Sequence, residues 1–281
     1  MTTTQSSQEL SILVIGDVVG KPGRLVLRQH LGHVRQTLGA DLVVANGENA
    51  AAGIGITPAI ADELFKSGVD VITSGNHIWR YAEIHDYLAT HKRLVRPANY
   101  PPGVPGQGYV QIDTAHGVRV GILNLLGRVY MDAVDCPFQG ADKLLASVRL
   151  GRDVDVLLVD FHAEATSEKV AMAWHLDGRV SAVLGTHTHI PTADQRIMPR
   201  GTGFISDLGM TGCYDSIIGM RVNTVMPKFI THLPSKLQPA EGTGTLCGCL
   251  VRVNVADGRC RAMRPVRRGP GLAETGFDSG T

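Results

Sequence analysis

Five short polar segments, each directly after an apolar run that predicts a buried strand, carry residue types that bind metal ions. Their side chains are carboxylates, amides and imidazoles, and a glycine accompanies four of the five. Because ligands bind beyond the carboxyl ends of parallel strands, we expect these side chains to converge. The segments are Gly16-Asp17, Asn46-Gly47-Glu48-Asn49, Ser74-Gly75-Asn76-His77, Asp160-Phe161-His162-Ala163-Glu164 and Gly185-Thr186-His187-Thr188-His189.

Each segment alone also has an ordinary structural interpretation. The first aspartate could cap a helix, the third segment could form a turn, and a single histidine is more often a structural residue than a ligand. Without a metal site, a separate ordinary explanation would have to hold at each of the five strand ends. A shared metal site explains all five together, and glycine lets the backbone approach one shared centre. The spacing of His187 and His189 also allows two imidazoles to reach neighbouring ions from an irregular loop. A joint metal site is therefore the favoured interpretation.

The candidate ligands include no cysteine thiolate, so the donor set suits borderline or hard ions such as Fe, Mn or Zn. There are more of them than a tetrahedral zinc site uses, but they suit two ions about 3.5–4 Å apart that share a carboxylate. We predict two divalent or mixed-valence metal ions per chain, with iron favoured. The predicted ligands are Asp17, Glu48, Asn49, Asn76, His162, His187 and His189.

The elements that would position these side chains alternate between strands and helices. Residues 12–15 are an apolar, β-branched run typical of a buried strand, and Thr57-Pro58 predicts the N-cap and first turn of a helix. This alternation is typical of a mainly parallel sheet covered by helices. From about Arg196 onward, short glycine-punctuated runs predict antiparallel strands. We therefore expect an α/β fold in which a second sheet packs against the first, with helices outside both.

Composition excludes several classes of partner. The 281 residues include 27 Lys+Arg and 26 Asp+Glu, which gives a formal net charge of +1, and no block of basic residues occurs. This excludes the electrostatic footprint of a protein that binds duplex nucleic acid or an anionic membrane, but small anionic ligands stay open. No apolar stretch reaches the ~18 residues of a membrane span. The five cysteines lack Cys-x-x-Cys spacing, which favours a reducing cytoplasm.

One folded domain is predicted over residues 11–268. Residues 1–10 are predicted to be a disordered N-terminal tail, and residues 269–281 a flexible C-terminal tail, because both stretches are small and polar. The sequence leaves the oligomeric state open, and a homo-oligomer is compatible with it.

The order Gly-Asp, Gly-Asn-His and Gly-x-His-x-His resembles the calcineurin-like metallophosphoesterase superfamily. Longer stretches are similar to the YmdB-type bacterial phosphodiesterases, and the resemblance runs from about Ser11 to Val266. These stretches are residues 15–20 (IGDVVG), 46–51 (NGENAA), 96–99 (RPAN), 160–169 (DFHAEATSEK) and 185–189 (GTHTH). The resemblance implies a four-layer αββα sandwich of two mixed sheets with a dinuclear metal site.

The resemblance also implies roles for the matched residues. One ion would be held by Asp17, Glu48, Asn49 and His189. The other would be held by Glu48, Asn76, His162 and His187, so that Glu48 bridges the two ions. His77 would be the general acid. The implied reaction is hydrolysis of a small phosphodiester, such as a 2′,3′- or 3′,5′-cyclic nucleotide, by a metal-bridging hydroxide.

The chain departs from the wider superfamily at three points. The first motif lacks the usual histidine two residues after Asp17, the bridging residue is Glu48 rather than an aspartate, and no acidic residue closely follows His77. Asn49 would replace the missing imidazole. Compared with the wider superfamily, the first ion would therefore have more oxygen ligands and would be bound more weakly.

Four further residues are candidates for substrate binding. Arg96 or Arg128 could clamp a phosphate through two hydrogen bonds or could brace a loop through an ion pair, and the sequence does not separate these options. Asn99 lies in the same matched stretch as Arg96. Tyr214 could stack on a base, although a packed loop aromatic is the commoner case.

Two alternatives to a cyclic nucleotide phosphodiesterase stay open at this point. The first is a phosphomonoesterase or an RNA-end phosphodiesterase that uses the same site on another substrate. The second is a non-catalytic regulatory module whose binding pocket is ordered by metal ions. A complete ligand set beside His77 argues against the second, because a pure binding module has little need of an acid beside a dinuclear centre.

Overall fold

The computed structural model describes residues 9–277, which contain six α-helices and thirteen β-strands. The helices are α1 (Gly20–Leu38), α2 (Pro58–Lys66), α3 (Ile84–Thr90), α4 (Pro137–Leu145), α5 (Thr166–Leu176) and α6 (Val222–Thr231). The strands are β1 (Glu9–Ile15), β2 (Asp17–Val18), β3 (Leu42–Asn46), β4 (Val71–Thr73), β5 (Tyr109–Asp113), β6 (Arg119–Leu126), β7 (Val156–His162), β8 (Ala182–Thr186), β9 (Arg196–Ile197), β10 (Gly203–Ile205), β11 (Met210–Thr211), β12 (Leu246–Asn254) and β13 (Cys260–Arg268).

The strands form two mixed sheets and one small pair. The first sheet has the order β13-β12-β1-β3-β4, in which β1, β3 and β4 are parallel and β12 is antiparallel to both of its neighbours. The second sheet has the order β5-β6-β7-β8-β10-β9, in which the four inner strands are parallel and both edge strands are antiparallel. Strands β2 and β11 form a separate parallel pair. The fold is therefore mixed α/β, as the sequence predicts.

The C-terminal strands pair differently from the prediction. Strands β12 and β13 are antiparallel, as expected, but they belong to the N-terminal sheet rather than to a second one. The reason is that β12 pairs with the whole length of β1, from Glu9 to Ile15. It thereby covers an edge of β1 that would otherwise be unpaired. Strand β10, also after Arg196, is parallel to β8. Along the chain, the first sheet thus takes β1, β3 and β4, the second takes β5 to β10, and the chain returns to the first sheet with β12 and β13.

Buried apolar side chains form three clusters that follow the alternation of the strands. In β1, Leu13 and Ile15 belong to a cluster that includes residues of α1 and α2. Ile12 and Val14 belong to a second cluster, which also contains Ile122 and other strand residues of the second sheet. The third cluster combines residues of β6 and β7 with residues of α4 and α5. Successive residues of a strand point to opposite faces, so β1 contributes to two clusters at once.

Helix boundaries follow local sequence signals. Thr57 caps α2, because its side chain accepts a hydrogen bond from the backbone N–H of Ile60, and Pro58 lies in the first turn, as predicted. Helix α1 ends at Gly39, whose φ of 60° lies in the left-handed region that glycine adopts at little cost. This turn leads directly into β3, which begins at Leu42.

Both ends of the described chain extend into the predicted tails. Strand β1 begins at Glu9, so the last two residues of the predicted tail 1–10 lie in a strand. Thr275 exchanges two backbone hydrogen bonds with Arg267, and Phe277 packs against the first apolar cluster. The remaining parts of the predicted tails, residues 1–8 and 278–281, lie outside the described residues.

The described part of the chain contains no membrane-spanning helix and no disulfide bond. No helix within residues 9–277 is long and apolar enough to cross a membrane. Cys247 and Cys249 are buried side chains of β12. All five cysteines are free thiols: Cys136, Cys213, Cys247, Cys249 and Cys260.

Candidate metal centre

The carboxyl ends of strands from both sheets meet at the candidate site. In the first sheet, β1, β3 and β4 end shortly before Asp17, Glu48 and Asn76. In the second sheet, β7 ends at His162 and β8 ends just before His187. The backbone N–H of His187 donates a hydrogen bond to Oδ2 of Asp17 over 2.9 Å. The segments therefore come together where the two sheets meet, whereas the sequence places all of these strands in one mainly parallel sheet.

Glu48, His162 and His187 form a cluster that could hold a metal ion. Each side chain offers one ligand atom, and the three atoms lie within 4.8 Å of one another. Nε2 of His162 lies 3.2 Å from Oε2 of Glu48 and 3.0 Å from Nδ1 of His187. Two ring nitrogens and a carboxylate oxygen thus face one small volume. Only a proton or a cation there relieves the repulsion between their lone pairs.

Charges within the cluster explain where a proton resides. Burial opposes ionisation of Glu48, but the nearby His162 and His77 outweigh it and hold the pKa of this carboxyl well below its usual value. Burial also opposes charging of His162, yet Glu48 and neighbouring aspartates raise its pKa to about 9. Burial, together with the charge of His162, lowers the pKa of His187 to about 3. A proton on His162 therefore occupies the position that a metal ion would take.

Two oxygen atoms at the centre are buried without a hydrogen-bond partner. They are Oδ1 of Asp17 and Oδ1 of Asn76. Burial raises the pKa of Asp17 to about 6, although His162 and His189 act in the opposite direction. A buried oxygen without a partner is costly, and coordination to metal ions would satisfy both atoms. The residues present therefore fit a metal ion of the borderline or hard class.

Asn49 lies beside the third predicted imidazole ligand. Its Nδ2 is 3.1 Å from Nε2 of His189, and Nδ1 of His189 is 2.8 Å from the carbonyl oxygen of Ile218. A carbonyl can only accept a hydrogen bond, so Nδ1 of His189 carries the proton and Nε2 keeps the lone pair. Nε2 of His189 is therefore available as a ligand on the side where Asn49 lies.

His77, the predicted general acid, is oriented by two neighbouring side chains. Its Nδ1 lies 3.0 Å from Oε1 of Glu48 and 3.0 Å from Oδ1 of Asn49. Its backbone N–H also donates to Oε2 of Glu48 over 3.3 Å. Its own motif lacks an acidic residue, and the carboxylate comes instead from Glu48, on the loop after β3. Nε2 is then the ring nitrogen left for proton transfer, on a side chain that is 32% exposed.

The backbone around the centre adopts strained conformations. His187 has a φ of 102° and His189 a φ of 67°, in the left-handed region that residues other than glycine rarely adopt. A Cβ atom on Gly75 would overlap Oε2 of Glu48 and the ring of His162. Conformations of this kind cluster at functional sites and persist only where the surrounding structure enforces them.

A buried ion pair enforces the conformation of residues 187–189, which we call the histidine loop. Nζ of Lys169 lies 2.8 Å from Oδ2 of Asp207, and both side chains are only 2% exposed. The same Oδ2 accepts hydrogen bonds from the backbone N–H and the hydroxyl of Thr188, which lies between the two strained histidines. No sequence motif predicts this pair. The feature of the sequence that indicates a buried lysine is the position of Lys169 on the same face of α5 as the apolar Met172 and Leu176.

Four other polar residues close to the centre were not assigned a role from the sequence. All of them lie within the polar segments at the strand ends, and this position is the feature of the sequence that indicates a role at the centre. Glu164 contacts a predicted ligand directly, because its Oε2 lies 3.1 Å from Nε2 of His187. The four residues are Asn46, Asp160, Glu164 and Thr186.

Arg96 and Asn99, both predicted to bind substrate, hydrogen-bond to the backbone of neighbouring loops. The guanidinium of Arg96 donates to the carbonyl oxygens of Pro97 and Pro105 over 2.8 Å and 3.0 Å. Asn99 exchanges two hydrogen bonds with the backbone of Leu126. These contacts correspond to the loop-bracing alternative for Arg96, with carbonyl groups in place of an ion pair. A substrate-binding role for either residue stays a prediction.

Arg128 and Tyr214, the other two candidates, lie in different surroundings. The exposed Arg128 follows β6, and its backbone N–H donates to the carboxylate of Glu168. The hydroxyl of the half-buried Tyr214 lies 3.0 Å from the carbonyl oxygen of Met210 and 3.3 Å from that of His189, and its one proton can go to either. Tyr214 thus has the geometry of a packed loop aromatic that supports the His189 loop. Base stacking by Tyr214 and phosphate binding by Arg128 stay predictions.

Comparison with curated proteins identifies relatives over most of the chain. A family model described as "YmdB-like protein" matches residues 13–266. A 2′,3′-cyclic-nucleotide 2′-phosphodiesterase of Bacillus subtilis (strain 168) is 45% identical over 245 residues, which cover 87% of this chain and 92% of that protein. The similarity therefore includes all the strand-end segments that form the candidate centre.

Solved structures share the fold over nearly the whole chain. A hypothetical protein from Thermus thermophilus has a TM-score of 0.85 at 41% identity, with 92% of this chain and 99% of that chain covered. A novel phosphatase from Mycoplasma pneumoniae has a TM-score of 0.87 at 32% identity, with coverages of 93% and 94%. Because the family model extends over residues 13–266, this chain belongs to the YmdB-like family.

Proposed function

We propose that this chain is a metal-dependent phosphodiesterase that hydrolyses a cyclic nucleotide, with the 2′,3′-cyclic form favoured over the 3′,5′-cyclic form. The observation that carries the proposal is the convergence of Oε2 of Glu48, Nε2 of His162 and Nδ1 of His187 on one small volume. The activity of the Bacillus subtilis relative, at 45% identity, supports hydrolysis of phosphoric diesters and a small phosphoester substrate.

The proposed centre holds two ions. Support for a second ion comes from two further donor atoms beside the Glu48, His162 and His187 cluster. They are Oδ1 of Asp17, which has no hydrogen-bond partner and lies 3.6 Å from Nδ1 of His162, and Nε2 of His189. Iron is the favoured metal, with manganese and zinc as alternatives. The first ion would be held by Asp17, Glu48, Asn49 and His189, and the second by Glu48, Asn76, His162 and His187.

When bound, two such ions supply an activated water at neutral pH and neutralise charge on the phosphate. The side chains of this chain then complete the reaction. Glu48 and Asn49 fix Nδ1 of His77, so that Nε2 donates a proton to the departing ribose oxygen. Arg128, exposed after β6, is the proposed contact for a phosphate oxygen.

We also infer that the fold is a four-layer αββα sandwich formed by residues 11–268. Support comes from the apolar clusters, in which alternate residues of β1 join helices on one side and strands of the second sheet on the other. The cluster of β6 and β7 with α4 and α5 would close the other face of the second sheet.

The protein is proposed to act on its small cyclic substrate in the cytoplasm.

The test combines metal analysis with parallel assays on four substrates. Purified protein is assayed on 2′,3′-cyclic AMP, 3′,5′-cyclic AMP, bis-p-nitrophenyl phosphate and p-nitrophenyl phosphate, before and after chelation and after restoration of Mn or Fe. We expect about one to two ions per chain and diester hydrolysis that chelation abolishes. Faster hydrolysis of the monoester would favour the phosphomonoesterase alternative. No turnover by metal-loaded protein would favour the regulatory module.

A matched pair of variants tests the proposed centre itself. Glu48→Gln keeps the shape of the side chain but removes the charge that two ions would share, so we expect a folded protein with at least ~100-fold lower kcat. His116→Ala, at an exposed turn between β5 and β6, is the control and should keep wild-type kcat. Wild-type turnover by metal-loaded Glu48→Gln would reject the assignment.

A further inference from the structure

A buried carboxylate lies behind His162, on the Nδ1 side of its ring. Asp160 precedes His162 by two residues on β7, so both side chains point to the same face of the strand. The carboxylate of Asp160 accepts hydrogen bonds from the hydroxyl groups of Thr186 and Thr73 and from Nδ2 of Asn46. Burial raises the pKa of Asp160, while His162 and these three hydrogen-bond donors act in the opposite direction. Donors from β3, β4 and β8 thus surround a carboxyl group that the proposed reaction does not use.

The hydroxyl of Thr186 connects this carboxylate to the imidazole. Its Oγ1 donates to Oδ1 of Asp160 over 2.7 Å and lies 2.9 Å from Nδ1 of His162. A hydroxyl has one proton to donate. Because that proton goes to Asp160, Oγ1 can only accept a hydrogen bond from the ring. Nδ1 of His162 must therefore carry a proton.

Asn46 does not provide Nδ1 of His162 with another donor. Its Oδ1 accepts the backbone N–H of Glu48 over 3.0 Å, which fixes the orientation of the amide. The two hydrogens on its Nδ2 go to Oδ2 of Asp160 at 3.0 Å and to the carbonyl oxygen of Ser74 at 3.2 Å. Both distances are shorter than the 3.4 Å from Nδ2 to Nδ1 of His162. Thr186 is therefore the main partner of Nδ1.

We propose that Asp160 and Thr186 are positioning residues that hold His162 as its Nδ1–H tautomer and so direct the lone pair of Nε2 at the metal ion. This rests on the proposed function, which assigns Nε2 of His162 as a ligand. Nε2 faces Oε2 of Glu48 on the opposite side of the ring, at 3.2 Å. The other neutral tautomer would place a proton where the ion binds. Residues that orient a ligand histidine in this way contribute about 10- to 100-fold to metal affinity.

The first test compares Thr186→Val with Thr186→Ser. Valine has nearly the shape of threonine but lacks the hydroxyl, whereas serine keeps it. Binding of Zn²⁺ to the full chain is measured by titration calorimetry, after circular dichroism has shown that each variant is folded. We expect Zn²⁺ binding to weaken about 10- to 100-fold in Thr186→Val and by less than about threefold in Thr186→Ser. Equal affinity of Thr186→Val and the wild type would overturn the proposal.

The second test measures the tautomer directly. Nitrogen-15 NMR of the histidine rings in Zn²⁺-loaded protein should show a slowly exchanging proton on Nδ1 of His162. The metal-free protein, followed to alkaline pH until the ring is neutral, should keep the same proton on Nδ1. Asp160→Asn, whose amide can donate to Oγ1 of Thr186, should reduce this population and weaken Zn²⁺ binding. A wild-type His162 without a proton on Nδ1 would overturn the proposal.

Failure of this inference can be distinguished from failure of the proposed function. A wild-type protein that binds no metal ion and hydrolyses no diester contradicts the proposed function, while the NMR spectrum of the metal-free form still decides the tautomer. Wild-type binding and turnover, combined with unchanged Zn²⁺ affinity in Thr186→Val, contradict the positioning role alone.

Discussion

At the scale of single residues, the orientation of His77 determines which of its nitrogens can act as an acid. Glu48 and Asn49 contact Nδ1, so a proton on Nε2 is the one available to a leaving group. We predict that His77→Ala lowers kcat on 2′,3′-cyclic AMP by about 10²- to 10⁴-fold. The loss should be much smaller on bis-p-nitrophenyl phosphate, because nitrophenolate leaves without protonation. Comparable losses on both substrates, with metal content unchanged, would remove the acid role.

The raised pKa of His162 predicts that metal binding releases a proton. In the metal-free structure this pKa is about 9, so the ring is charged near pH 7.5, whereas His187, with a pKa of about 3, is already neutral. An ion at Nε2 of His162 must displace the proton, so the binding of this ion releases about one proton from the ring. Apparent affinity should therefore rise with pH up to about 9 and then level off.

Titration calorimetry with Zn²⁺ in two buffers of different ionisation enthalpy measures this release. The observed binding enthalpy should differ between the buffers near pH 7.5, and the difference should become smaller as the pH rises past about 9, where His162 is already neutral. An enthalpy that is independent of the buffer at the lower pH would show that His162 is not deprotonated by the ion.

At the scale of elements, α5 supports the histidine loop through Lys169. Removal of this cation would leave the buried carboxylate of Asp207 without a counter-charge, beside the Thr188 that it holds. We predict that Lys169→Met lowers the free energy of unfolding of the metal-free protein by about 3–5 kcal/mol, measured by urea denaturation. Lys66→Met, at an exposed position of α2, is the control and should change it by less than about 0.5 kcal/mol.

The double variant Lys169→Met with Asp207→Asn separates charge from packing. If the cost of Lys169→Met comes from the uncompensated carboxylate, removal of the negative charge should restore part of the stability. A double variant as unstable as the sum of two independent losses would instead assign the cost to packing around α5.

Some features of the strands and helices could be predicted from the sequence, and others could not. The strand-end segments were predictable because hydrophobic runs locate the strands, and ligands gather at the carboxyl ends of parallel strands. The pairing of β12 with β1 was not predictable, because more than 200 residues separate the two strands and neither local sequence indicates its partner. The Lys169–Asp207 pair and the contact of His77 with Glu48 depend on packing between distant segments for the same reason.

At the scale of the whole molecule, the centre connects the two sheets. The predicted ligands follow β1, β3 and β4 of the first sheet and β7 and β8 of the second. Hydrogen bonds already cross between the sheets there, from Asn46 of β3 to Asp160 of β7 and from His187 to Asp17. An ion at this position would therefore resist separation of the sheets, and its binding should be coupled to global unfolding.

This coupling predicts a large effect of metal on thermal stability. At a free metal concentration about 100 times Kd, binding to the folded state adds about 2.7 kcal/mol. For a chain of this size, that corresponds to a Tm increase of about 5–10 °C, measured by scanning calorimetry with and without chelator. His116→Ala should keep the increase, whereas Glu48→Gln should lose most of it, because Glu48 contacts both His77 and His162 at the centre. A Tm that does not respond to metal in the wild type would mean that the ion, if bound, does not join the two sheets.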